Sequence, residues 1–185
     1  MYTLLLVDDE EDVIEVIERK VSWEQIGFHV VGHAGNGFKA LEMMEDMQPD
    51  VVMTDIRMPY MDGLELCSNI RQRFPATKLL LFTGFDDFEY AKEAVHLEIE
   101  EYILKPLNLA EITEVFKKLK TKLDDELNEK KNTDILKQYY AASLPVLQSN
   151  FYTTLIEGRI PENELGRYMR DYKIVLEGPY YCCII

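Results

Sequence analysis

Five short apolar runs, each leading into a polar or turn-forming residue, constrain this chain more than any other feature. Thr3 to Val7 reads T-L-L-L-V and stops at Asp8; Val51, Val52 and Met53 lead to Asp55; Leu79 to Phe82 gives way to Thr83-Gly84. Phe28 to Val31 is a shorter run, and Glu101 to Leu104 ends at Lys105-Pro106. Apolar runs without polar alternation suit strands covered by helices on both faces. Between them the apolar positions change to helical spacing, as in Val13, Ile14, Ile17 and Val21, or Ala40, Leu41, Met44 and Met47. Leu64, Leu66, Cys67 and Ile70 form a third such set, closed off by Pro75, and Phe88, Ala91, Ala94 and Val95 a fourth. Strand and helix thus alternate, which predicts an α/β fold with a five-stranded parallel sheet and right-handed crossovers.

A parallel sheet brings the carboxyl ends of its strands to one edge, where open α/β sheets carry their chemistry. That edge is expected to collect Asp8, Asp9, Asp55, Thr83 and Lys105. Pro59 and Gly63 mark a loop after Asp55, and Pro106 a turn after Lys105. Taken singly, Asp8 or Asp9 also suits a helix cap, Asp55 a turn, and Lys105 a surface position. Their joint placement is what those explanations leave out. Clustered carboxylates suit Mg²⁺ or Mn²⁺, and a metal beside Asp55, with Thr83 and Lys105 to receive further oxygens, makes a site for a phosphoryl group. Asp55 is then the nucleophile and an aspartyl phosphate the product. His29, His33 and His96 show no metal-binding spacing.

Composition narrows the partners. A net charge of -14 argues against nucleic-acid binding by these residues themselves, so any DNA contact would lie in a further domain. No apolar run reaches bilayer length and no signal sequence precedes the first strand, so a cytoplasmic protein without a membrane partner is expected. Cys67, Cys182 and Cys183 are expected as buried reduced thiols.

The motifs L-L-V-D-D-E, T-D-I-R-M-P-Y-M-D-G, F-T-G-F-D-D and E-Y-I-L-K-P resemble, in order and spacing, the receiver domain of two-component response regulators. The likeness covers about residues 2 to 120 and implies a flavodoxin-like (βα)5 receiver. It further implies that Asp55 accepts phosphate from a phosphohistidine on a sensor histidine kinase. Asp9 and Asp55 would hold Mg²⁺, with Asp8 behind them and the Arg57 backbone carbonyl as a further ligand. Lys105 would pair with the phosphoryl group, Thr83 would hydrogen-bond to it, and Tyr102 matches the aromatic switch position. Drawing Thr83 toward the phosphoryl group vacates space for Tyr102 and alters the face made by the fourth helix, fifth strand and fifth helix.

Beyond the receiver, expected over residues 1–120, a linker helix is expected over 108–143. Leu109, Ile112, Phe116, Leu119 and Leu123 follow coiled-coil spacing, which suits either a dimer zipper or the buried face of the last receiver helix. A homodimer through this helix and the receiver face is the expectation. Pro145 is expected to open a new helix carrying Val146, Leu147, Phe151, Leu155 and Ile156, closed by Gly158; Pro161 opens another. Residues 144–185 then read as the start of a second α+β domain, ending in the strand Y-Y-C-C-I-I and expected to be truncated. F-D-D-F-E-Y-A-K-E-A and E-G-P-Y-Y are similar to the YesN-like group of regulators, which implies an AraC-type DNA-binding domain beyond these residues.

Other functions fit less well. A small-molecule aspartyl-phosphate phosphatase or phosphotransferase commonly needs a D-x-D pair and a cap insertion, against the adjacent Asp8-Asp9 here. A nucleotide-binding module would need a phosphate loop after the first strand. A receiver with a non-DNA output remains a further alternative. The chain is expected to be a phosphoacceptor rather than an enzyme.

Overall fold

The structure is a computed structural model that describes residues 1–84, 88–105 and 108–175. Two compact units divide the chain, Met1–Asp125 and Glu126–Ile185.

The first unit alternates as the apolar runs require. Strands β1 (Tyr2–Val7), β2 (Phe28–Ala34), β3 (Val51–Thr54), β4 (Lys78–Thr83) and β5 (Glu101–Leu104) form one sheet in the order β2-β1-β3-β4-β5. Every neighbouring pair is parallel. Helices α1 (Glu11–Lys20), α2 (Gly37–Met47), α3 (Gly63–Arg73) and α4 (Phe88–His96) follow the first four strands. Helix α5 (Leu109–Ile156) follows the fifth.

Alternation along each strand divides the core in two. Leu4, Leu6, Val51 and Met53 face one layer with Ile14 and Ile17 of α1 and Ile112 and Phe116 of α5. Leu5, Val7, Val52, Leu79 and Leu81 face the other, with Met44 of α2 and Leu66, Cys67 and Ile70 of α3. Phe116 is completely buried and meets Trp23 and Phe28 edge-on at 4.8 and 5.1 Å. Cys67 is buried, which pushes its thiol up to about 12 and keeps it protonated. Cys182 and Cys183 lie outside the described residues, as does the expected terminal strand.

The seam at 109–123 is therefore the buried face of α5 against the sheet. Ile112, Phe116, Leu119 and Leu123 all lie in the first unit's core, so these side chains are not a zipper surface. Two strand details also depart from the sequence reading. Strand β2 continues past Val31 to Ala34, because its register to β1 shifts between Leu4 and Leu5 and restores pairing through Gly32 and His33. Trp23–Ile26 makes a 3₁₀ turn whose Trp23 and Ile26 are buried, with the Trp23 indole N–H donating to the Ile17 carbonyl at 3.2 Å.

Capping fixes where α3 begins. The Asp62 side chain accepts the Glu65 N–H at 2.8 Å, while Arg71 and Arg73 occupy the last turn where the helix dipole favours cations. Asp62→Ala is expected to cost about 1 kcal/mol, or about 2–4 °C in melting temperature for a chain of this size. Asp62→Gly is expected to cost only a few tenths of that, and thermal melts of the two variants check the difference.

In the second unit α5 runs unbroken through Pro145 to Ile156, where the sequence reading places a helix boundary. Proline's fixed φ is compatible with helix, and the loss of one N–H donor costs less than a new end, which leaves several carbonyls unpaired. Gly158, at φ 67°, then closes it, with its N–H and that of Arg159 returning to Leu155 and Thr154 at 3.0 Å each. Helix α6 (Glu162–Asp171) starts after Pro161. Phe151, 3% exposed, packs 6.4 Å from both Tyr168 and Tyr172, and Gln148 donates to the Tyr172 carbonyl at 2.9 Å.

Candidate phosphoacceptor site

Strand register brings the site together. Val7 lies opposite Thr54, so Asp8 and Asp55 leave neighbouring strands at the same level. Each ladder runs on past its strand end: Asp55 N–H donates to Val7 at 2.8 Å, Asp8 N–H to Ala34 at 3.0 Å, and Lys105 N–H to Thr83 at 2.7 Å. The backbone is thus held by sheet pairing up to the residues with reactive side chains.

Asp8 and Asp55 are buried, at 3% and 5% exposed, whereas Asp9 faces solvent. Lys105 reaches over from β5 with Nζ 3.0 Å from Asp8 Oδ2 and 3.3 Å from Asp55 Oδ2. Asp55 Oδ1 accepts the Ile56 N–H at 2.7 Å, and Asp8 Oδ1 accepts the Glu10 N–H at 2.9 Å. Neither aspartate caps α1: Glu10 occupies that position without a side-chain cap bond. Two neighbours of Lys105 escape a strand-end reading, the Glu10 carboxylate at 3.8 Å and the Phe82 ring, whose centroid is 4.8 Å from Nζ. Glu10 was legible as the last letter of L-L-V-D-D-E; Phe82 is set only by how the lysine folds back across the sheet.

Burial is the largest influence on Asp8 and raises its carboxyl above the usual range, although the Glu10 N–H and Lys105 pull the other way. For Lys105 burial opposes the charged form, but its bonds to Asp8 and Asp55 prevail and hold the ammonium above its ordinary value. The site thus keeps a cation between two buried carboxylates.

Oxygens of Asp8, Asp9 and Asp55 all lie within 4.8 Å of one another, the one such cluster among the described residues. Hard, closely spaced oxygens fit a small divalent cation such as Mg²⁺ or Mn²⁺.

The remaining predicted residues fall around this edge. Thr83 is fully buried at the end of β4. Tyr102 is half-buried on β5 opposite Leu81, so it shares a face with Thr83 two residues on. Arg57 is exposed, its guanidinium 6.0 Å from the Tyr90 ring centroid. The Pro59 carbonyl accepts the Met61 N–H at 2.9 Å. The Gly63 N–H donates to the Ile56 carbonyl at 2.8 Å, closing the loop against Asp55. Pro106 lies outside the described residues, as do Phe85, Asp86 and Asp87 of the third motif.

Comparison with known proteins identifies the family of this fold. Residues 4–117 match the response regulator receiver domain. The transcriptional regulatory protein YesN of Bacillus subtilis is 37% identical over 137 residues, covering 74% of this chain and 37% of YesN. HptR of Staphylococcus aureus, a transcriptional regulatory protein, is 26% identical over 164 residues, covering 88% of this chain and 64% of HptR. The chain therefore spans about a third of the first relative and less than two thirds of the second. Among solved structures, the receiver domain of AraT, a response regulator from Geobacillus stearothermophilus, superposes with a TM-score of 0.65 at 36% identity, covering 68% of this chain and 98% of that one. The receiver match runs from the first strand into the helix that closes the sheet, and on that extent the chain belongs to the response regulator receiver domain family.

Proposed function

We propose that Asp55 is the phosphoacceptor, charged by a sensor histidine kinase in a reaction that needs Mg²⁺ or Mn²⁺. The observation that carries this is the Lys105 ammonium, 3.0 Å from Asp8 and 3.3 Å from Asp55 at the carboxyl edge of the sheet. A carboxylate oxygen of Asp55 attacks phosphorus, the N–P bond of the phosphohistidine breaks, and its electron pair returns to the imidazole. Lys105 faces the negative charge that gathers on the phosphoryl oxygens, and the Ile56 N–H fixes the carboxylate's orientation. Asp8, Asp9, Asp55 and the Arg57 backbone carbonyl would hold the cation, which supplies charge neutralisation to the incoming phosphoryl group. Thr83 then receives a phosphoryl oxygen, and Tyr102, on the same face of the sheet, follows it inward.

The output reading rests on the transcriptional relatives, and on it the chain is a cytoplasmic regulator. The receiver occupies about residues 1–120, and an AraC-type DNA-binding domain would lie outside residues 1–185. Among the described residues no helix is long and apolar enough to cross a membrane. A homodimer is part of this reading, with its helix contact moved beyond residue 125. Leu136 and Tyr139, 68% and 72% exposed, take the place of the buried seam.

The test is incubation with Mg²⁺ and acetyl phosphate, beside Asp55→Asn, read by intact mass. One phosphoryl group gained by the wild type alone, and lost in hydroxylamine, is the expected result. Equal gain by Asp55→Asn, or none by the wild type, overturns the assignment.

A further inference from the structure

The Lys105 side chain lies back across the end of β4. A Cβ on Gly84 would lie 3.9 Å from Lys105 Cβ and 4.0 Å from its Cδ, so the aliphatic stem runs along the Gly84 backbone. The ammonium then sits over the Phe82 ring, 4.8 Å from its centroid. Phe82 is 2% exposed and follows Leu80 on the face of β4 that packs against α1 and α5. The other aromatics of that layer meet one another: Trp23 and Phe28 pack on Phe116, and Tyr2 on Phe28. Among the described residues no second ring meets Phe82; what lies over its face is the ammonium.

A ring in that place does something an aliphatic side chain does not. The lysine ammonium ends a long flexible stem and has several donors to satisfy. Asp8 and Asp55 accept from it at 3.0 and 3.3 Å, while Glu10 at 3.8 Å lies beyond hydrogen-bond distance. The side chain is only 18% exposed, so little water makes up the difference. A ring face attracts the cation electrostatically, and more strongly where water is scarce, without offering an oxygen that would compete for its donors. We infer that Phe82 is a positioning residue, its ring holding the Lys105 ammonium in place to meet the oxygens of a phosphoryl group on Asp55. This rests on Asp55 being the phosphoacceptor. A leucine would fill much of the same space in the core and leave the ammonium one attraction short.

Fluorination weakens a ring's attraction for a cation while nearly keeping its shape. Mono-, di- and trifluorophenylalanine at position 82 therefore test the ring's charge distribution rather than its volume. One readout is the rate of labelling by acetyl phosphate at saturating Mg²⁺. The other is the proton shift of the Lys105 ε-methylene in the unphosphorylated chain, assigned against Lys105→Arg. Labelling is expected to slow stepwise along the series, by about three- to tenfold at trifluorophenylalanine. In the wild type the ε-methylene protons are expected upfield of those of the other lysines, because the end of the side chain lies over a ring face; in Phe82→Leu they rejoin them. Equal rates along the series overturn the proposal even where Phe82→Leu is slow, since the ring would then only fill space. Unshifted methylene protons in the wild type overturn it as well. Labelling that is absent from the wild type, or equal in Asp55→Asn, overturns the phosphoacceptor reading beneath it. The upfield shift needs no phosphoryl group, so its presence in that case marks the failure as that of Asp55.

Discussion

Gly63→Ala is expected to lower both the stability of the receiver unit and its rate of labelling by acetyl phosphate. A Cβ at this position would lie 1.9 Å from the carbonyl oxygen of Asp55 and 2.9 Å from its carbonyl carbon, distances that no packing adjustment of side chains can relieve. Both colliding atoms are backbone. They are also anchored, since the Asp55 N–H bonds to Val7, the Thr54 hydroxyl donates to the Asp55 carbonyl at 2.9 Å, and the Gly63 N–H bonds to Ile56. Either the start of α3 moves out or Asp55 moves off its ladder. Overpacking of ordinary core sites costs about 1–3 kcal/mol, and a backbone collision is expected at or above the top of that range. For a chain of this size that is a fall of roughly 6–12 °C in melting temperature. Displacement of Asp55, the proposed phosphoacceptor, by about 1 Å is expected to slow labelling by acetyl phosphate on the order of a hundredfold. A Gly63→Ala protein that melts and labels like the wild type would mean that the loop is soft and Asp55 is not positioned by it.

This collision also marks how far the sequence can be read. Asp8, Asp55, Thr83 and Lys105 could be placed at one edge because each follows an apolar run, and parallel strands align their ends. That Gly63 touches the carbonyl of Asp55 follows from the path of the loop, which no periodicity encodes. The same limit applies to β2, whose Gly32 and His33 lack strand character by composition and are carried into the sheet by the register shift beside Leu4 and Leu5. Helical spacing at Leu109 to Leu123 was visible, but spacing alone does not say which partner buries a face; the sheet, with Trp23 and Phe28, takes it. Pro145 signalled a helix start because prolines favour first turns, and the continuing helix to Ile156 overrides that preference. Glu10 and Phe82 meet Lys105 only through the folded path of a long side chain, so their part in the site had no signal beyond the motif letter.

Asp8→Asn is expected to make the metal-free protein more stable and nearly unresponsive to Mg²⁺. Burial raises the Asp8 carboxyl, so the folded state binds that proton more tightly than the unfolded chain. The ionised group therefore costs stability above its folded pKa, and the cost is relieved as pH falls through that value toward the unfolded one near 3.9. Lys105 behaves oppositely. Its raised value contributes stability that is fully present below about 10.4 and lost as pH rises through the folded value, so at neutral pH it is intact. An amide at position 8 removes the cost of the buried charge while Lys105 retains Asp55 at 3.3 Å and Glu10 at 3.8 Å. The variant's melting temperature without metal should rise by a few degrees. Metal reverses the order. At a hundred times its dissociation constant, a cation bound by the folded state alone adds about 2.7 kcal/mol, roughly 5–10 °C for this size of chain. With one of three carboxylates replaced, that gain is expected to fall below about 1 kcal/mol, and the two melting curves cross as Mg²⁺ is added. In the wild type the gain should shrink as pH drops, because protons compete with the cation for Asp8 at a higher pH than for an ordinary carboxylate. Thermal melts over a grid of pH and Mg²⁺ check all three trends, and an Asp8→Asn protein with the full wild-type gain would remove Asp8 from the metal site.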